Sequence, residues 1–147
     1  MFQNKRFVDI INNDLANTIG NLLNRTSSMS RKWFDNRVPS NEMLSKDNTL
    51  ELDAKKTVEN YFRHFNSYEL DLAANVILSL AINTNLYLNE KQPWTLIKDE
   101  KNIPLVSNII YNVLESTRIV GLLLLPILPN LSSKIDQQLG LLYNEKG

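Results

Sequence analysis

A chain of 147 residues, 43% hydrophobic and 22% charged, has the length and apolar content for one domain around a single core. It contains no cysteine, which excludes disulfides and thiol-ligated metal sites, and its one histidine, His64, cannot supply a set of imidazole ligands or most histidine-based catalytic constellations. Sixteen basic and sixteen acidic residues give zero net charge, which argues against an indiscriminate nucleic-acid binder.

The charge is unevenly spread. Residues 1–40 carry six basic and three acidic groups, residues 41–75 four and seven, and the remainder six of each, so the first segment is locally basic. Met1 is followed by polar FQNKR rather than an apolar leader, and the most apolar run, IVGLLLLPIL from Ile119 to Leu128, is about half a membrane span and is broken by proline. These features predict a cytoplasmic protein with no membrane partner.

The first predicted helix runs from about Arg6 to Phe34. Val8, Ile11, Leu15, Ile19, Leu22, Thr26, Met29 and Trp33 follow a three-and-four spacing that gathers them on one stripe. Asn17, Asn21 and Arg25, four residues apart, centre about 120° away from that stripe. They therefore point off the core. Gly20 interrupts this helix at a cost on the order of 1 kcal/mol relative to alanine. Close packing is the ordinary explanation for such a glycine, and approach of a ligand is the other.

RVPSNEMLSKDN, from Arg37 to Asn48, has no periodicity and reads as a connection. A second helix is expected from about Leu50 to Phe65, with Leu52, Val58, Tyr61, Phe62 and Phe65 as its apolar contacts. Ser67, with acids following, reads as the start signal for a third helix from about Glu69 to Glu90, whose apolar positions include Leu72, Val76, Leu80 and Tyr87. Pro93 stops that helix because the residue before a proline is pushed out of the helical region, and a short turn follows from Trp94 to Lys98. A fourth helix is expected from Pro104 to Leu125, and a last one from Leu131 to Leu139 closed by Gly140. No strand pattern competes. The expected fold is all-α, an antiparallel bundle of four to five helices in one domain, 1–147.

An enzyme of this size needs a cluster of titratable groups, and the sequence offers no phosphate loop, no metal-ligand spacing and no nucleophile–base set. What remains is recognition. Trp94, just after Pro93, suits either a cap on the bundle core or a stacking platform for an unpaired base. Asparagine supplies both donor and acceptor atoms and arginine a planar donor fork, the chemistry by which bases in single-stranded RNA loops are read. Asparagine is also abundant here, twenty residues in all, so Asn12, Asn13 and Asn24 read simply as a solvated helix face.

The segments NNDLANTIGNLLNRTSSM, NTNLYLNEKQPWTL and LLLLPILPNLSSKIDQQLG, in this order and separation, resemble the anticodon-binding domain of methionyl-tRNA synthetases from about Phe7 to Gly140. The resemblance implies a bundle that reads the CAU anticodon of methionine tRNA, with Trp94 stacking on the first anticodon base and Asn17, Asn21 and Arg25 bonding that base and its neighbours. Asn85 and Tyr87 match the family's Asn-x-Tyr and are expected to support the site, while Asn89 stands where the family often has aspartate. The family's catalytic domain, a nucleotide-binding fold with a His-x-Gly-His signature, is expected to precede this domain in a parent enzyme and to be absent from this chain, which reads as an excised domain inactive alone. ATP and methionine would bind that catalytic domain, no cofactor is expected in this one, and DNA is not an expected partner. The alternative reading is a stand-alone all-α module for protein interaction or tRNA binding without ligase activity.

Overall fold

The computed structural model describes residues 5–35, 37, 39, 48–127, 130, 133 and 135–137, with side chains from residue 13 onward. These fold into helices α1 (Lys5–Phe34), α2 (Thr49–Asn66), α3 (Leu70–Lys91), the one-turn α4 (Pro93–Leu96) and α5 (Ile103–Leu124), with a 3₁₀ turn at Glu100–Asn102. There is no strand among the described residues. The expected last helix and its Gly140 cap, like the expected core positions Val8 and Ile11, fall largely outside the described residues and side chains, although Ile135 is described and buried.

Helix α3 is the centre of the bundle, packing against α1, α2 and α5. It runs antiparallel to α2: the two are joined by a tight turn, and Asn83 Nδ2 donates to Asp53 Oδ2 at 3.1 Å, far from that turn on both helices. It also runs antiparallel to α5, since Asn112 donates to the Tyr87 hydroxyl at 3.1 Å while the Thr84 and Ser116 hydroxyls, one helical turn along, share a buried hydrogen bond of 2.6 Å.

Packed against three helices, α3 buries one broad face, about 140° wide. Ala73, Ala74, Ile77, Leu80, Ala81, Thr84, Tyr87 and Leu88 are all buried, and the alanines let neighbouring helices come close. The expected apolar position Leu72 is instead exposed, as are Leu52 and Phe62 of α2. Helix α2 turns Leu50, Ala54, Thr57 and Tyr61 inward, a three-and-four spacing that leaves those two residues on its outer side. Helix α1 matches its expected stripe where side chains are described: Leu15, Ile19, Leu22 and Thr26 are buried.

Ser67 does not start α3. It ends α2, and the chain reverses through Tyr68 at a φ of 60°, with the Glu69 amide donating to the His64 carbonyl at 2.8 Å. The His64 ring and the Glu69 carboxylate, 3.0 Å apart, clasp this turn from outside. The reversal takes Ser67 for the end of one helix before the next begins.

The glycines of α1 and α5 contrast. A Cβ on Gly121 would meet Cγ2 of buried Ile135 at 2.9 Å, so only glycine fits there without movement. A Cβ on Gly20 would meet nothing within 4 Å, so close packing does not explain this residue. Gly20→Ala should therefore raise stability by about 0.5–1 kcal/mol, and Gly121→Ala should lower it by about 1–3 kcal/mol. Urea denaturation of the two variants beside the parent chain checks both signs.

Candidate nucleic-acid interface

The candidate site forms where the polar edge of α1 meets the C-terminal end of α3. Asn17 and Asn21 are exposed on α1, as are Asn13 and Asn24, and Arg25 is half-buried at the inner margin of the stripe. Arg25 reaches across to α3, where Nη1 donates to Asn85 Oδ1 at 2.9 Å and Nη2 to Asn89 Oδ1 at 2.8 Å. Asn85 and Asn89 are one helical turn apart, so both present their oxygens to a single planar fork.

The same guanidinium lies over the indole of Trp94, 5.3 Å from the ring centroid. That distance is within cation–π range, a contact contributing about 0.5–1 kcal/mol where solvent reaches it. Trp94 is 39% exposed. It is neither a buried cap on the core nor a free side chain; it is a ring with solvent access, held from one side by Arg25.

The backbone explains how Trp94 arrives there. Helix α3 ends at Lys91, and Gln92 adopts a left-handed conformation with φ 48° and ψ 59°, its amide still donating to the Leu88 carbonyl. Proline disfavours the right-handed region for the residue before it. Pro93, itself buried, then opens α4 at the first helical position, where its missing N–H does no harm. The expected turn at Trp94–Lys98 is thus a helical turn at Pro93–Leu96, tied down by Asn102 Nδ2 donating to the Leu96 carbonyl at 3.2 Å and by Leu96 packing into the core.

Tyr87, expected to support the site, lies in the core of the bundle. It is buried with Leu22, Leu50, Leu88, Ile109 and Val113, its hydroxyl accepts from Asn112, and Lys91 sits over its ring at 5.6 Å. The structure thus brings Arg25 into contact with Asn85, Asn89 and Trp94, and Asn17 and Asn21 extend the same edge along α1, whereas Tyr87, two residues from both asparagines, projects to the opposite, buried side of α3. Asn89 is the residue the sequence pattern missed as a partner of Arg25, because nothing in local spacing joins positions 64 residues apart.

Elsewhere, a groove of about 660 Å³ between α2 and α5 is lined by residues including Leu50, Val58, Tyr111 and Ile119 with Glu115 and Arg118 at its edge. Burial, reinforced by the neighbouring Glu115 carboxylate, pushes the Tyr111 phenol up from its ordinary pKa, so it remains a donor to that carboxylate. Among the described residues no three His, Cys, Asp or Glu side chains are grouped to hold a metal ion, and no helix is long and apolar enough to cross a membrane.

The sequence profile described as the anticodon binding domain of methionyl tRNA ligase matches residues 38–146. The chain belongs to that family. It is 38% identical to a methionine–tRNA ligase of Nostoc sp. over 141 residues, which cover 95% of this chain and 26% of that protein. It is 37% identical to the methionine–tRNA ligase of Bacillus subtilis over 143 residues, 96% of this chain and 22% of the relative. Among solved structures, free Mycobacterium tuberculosis methionyl-tRNA synthetase superposes with a TM-score of 0.79 at 33% identity, covering 92% of this chain and 28% of that one. The chain therefore spans about a quarter of the length of these relatives.

The Arg25–Trp94 contact makes a measurable demand on this anticodon-binding domain. In a Trp33→Phe background, where Trp94 is the remaining tryptophan, Arg25→Ala should increase acrylamide quenching of Trp94 and shift its emission to the red. Arg25→Lys should fall between, since a point charge keeps the attraction and loses the planar fork.

Proposed function

We propose that this domain reads the CAU anticodon loop of methionine tRNA, so that a parent ligase can select that tRNA for charging with methionine. The single observation that carries this reading is the joined unit of Arg25, Asn85, Asn89 and Trp94, a solvent-accessible aromatic ring whose neighbouring guanidinium is already fixed in place. A base can stack on the ring surface that Arg25 leaves open, and stacking of this kind contributes about 1–3 kcal/mol per base. A guanidinium carries more N–H donors than the two engaged by Asn85 and Asn89, so Arg25 retains hydrogens for a base edge or a phosphate.

Asn17 and Asn21 extend the unit. From Asn17 to Arg25 the helix rises about 12 Å, roughly the length of three to four stacked nucleotides. Their exposed amides can donate to and accept from base edges, which phosphate contacts alone cannot discriminate. In this reading Trp94 takes the first anticodon base, Asn21 and Arg25 bond that base and the next, and Asn17 lies farther along the edge. Tyr87 and Asn85 act as positioning residues.

Activation of methionine with ATP, and its transfer to tRNA, belong to the catalytic domain of the parent, and the reading assigns none of that chemistry to the residues described here. The relatives named methionine–tRNA ligases are about four times the length of the matched region.

Titration with a CAU anticodon stem-loop tests the proposal. The parent chain should bind that loop more tightly than one with the first cytosine replaced. Trp94→Ala should weaken binding by about 1–3 kcal/mol, on the order of 5- to 150-fold. Equal affinity for the CAU loop and for unrelated loops would overturn the anticodon reading and leave a stand-alone interaction module in its place.

A further inference from the structure

Arg25 is held in an unusual way for a partly buried cation. Both of its terminal nitrogens donate to neutral amide oxygens, those of Asn85 and Asn89, and its guanidinium carbon lies 5.3 Å from the centroid of a neutral ring. Among the described residues no carboxylate lies within ion-pair distance of it. The nearest charged neighbours along α3 are Glu90 and Lys91. Glu90 is exposed and turned about 100° around the helix from Asn89, and Lys91 sits over the ring of Tyr87.

The bond from Arg25 to Asn89 is exposed, and its acceptor is one oxygen of a side chain that an aspartate would match in size and shape. A carboxylate at this position could accept the same hydrogen in the same geometry, so geometry alone does not require an amide. The difference is charge. An aspartate would pair with Arg25 and cancel its charge toward any ligand; asparagine orients the fork and leaves the charge whole.

We infer that Asn89 is a positioning residue that sets the charge with which this site meets RNA: it fixes Arg25 for contact while leaving the guanidinium's positive charge uncompensated. The inference rests on the RNA-binding reading above and adds to it a source for part of the affinity. In a chain with zero net charge, an unneutralised arginine at the reading edge is a concentrated local attraction for a polyanion. Its signature is the salt dependence of binding, because each phosphate neutralised on a single strand adds about 0.7 to the slope of log affinity against log salt.

The test is a titration of the CAU stem-loop at several salt concentrations with the parent chain, Asn89→Asp, Asn89→Ala and Asn75→Asp. Asn89→Asp should flatten the slope by about 0.7 and weaken binding about tenfold near 50 mM salt, with the deficit vanishing at high salt. Asn89→Ala removes the anchor without adding charge, so it should weaken binding by a similar factor at every salt concentration with the parent slope. Asn75→Asp places the same charge on the exposed side of α3 about 20 Å away, beyond the screening length, and should behave as the parent does. The inference is overturned if Asn89→Asp keeps the parent slope, or if it differs from the parent no more than Asn75→Asp does. Failure of the parent chain itself to prefer the CAU loop is a different outcome, and it removes the anticodon reading together with this one.

Discussion

The left-handed residue before Pro93 is the constraint on which the candidate recognition face depends. Had α3 continued through Gln92, the residue at position 94 would have projected about 140° around the helix from Asn89, away from the guanidinium that Asn89 holds. Proline makes that continuation costly, by about 3 kcal/mol or more, and Gln92 at φ 48° redirects the chain so that a new helical turn starts immediately. The ring of Trp94 then lies beneath Arg25 rather than along the flank of α3. One covalent feature thus adds the aromatic ring to the unit that Arg25 forms with Asn85 and Asn89.

That unit also joins two helices that nothing local would bring together. Arg25 is 60 residues from Asn85 and 64 from Asn89, and its two hydrogen bonds bridge α1 to α3 above the cluster of Leu22, Tyr87, Leu88, Ile109 and Val113. The division of labour is physical. Apolar burial, worth about 1.5–3 kcal/mol for each fully buried large side chain, sets how far apart the helices stand. The two polar bonds, one part-buried and one exposed, each contribute at most about 1.5–3 kcal/mol as bonds from a charged donor, less than the buried cluster as a whole. Their effect is to fix the direction of one cation and one ring on a surface whose position the core has already determined.

Sequence pattern revealed the parts of this arrangement that depend on local spacing. The interior stripe of α1, the off-core placement of Asn17, Asn21 and Arg25, and the break at Pro93 all follow from helical periodicity and the backbone limits of proline. Where burial is set by several neighbours at once, the same reasoning failed. Leu72 was expected inside, yet the buried face of α3 runs through Ala73, Ala74 and Ile77, which pack against three helices, and Leu72 lies about 100° around from Ala73. Ser67 has the chemistry of a helix start but lies where the chain is still leaving α2, a reversal that depends on Tyr68 adopting positive φ. The partnership of Asn89 with Arg25 was invisible for a related reason: it is a tertiary contact, and no period within one helix encodes it.

The construction of the site has an energetic consequence for recognition. A flexible arginine and an unsupported tryptophan would each lose rotamer freedom on meeting a ligand, at about 0.5–1.5 kcal/mol per side chain ordered. Here Arg25 is already held at three points and Trp94 is carried on a turn whose next residues, Leu96 and Ile97, pack into the core. Most of that ordering cost is met during folding, where it is spread over the packing of α1, α3 and α4. In the proposed reading, discrimination comes from where these donors already point, and one arginine held without a carboxylate partner among the described residues supplies local positive charge in a chain whose net charge is zero.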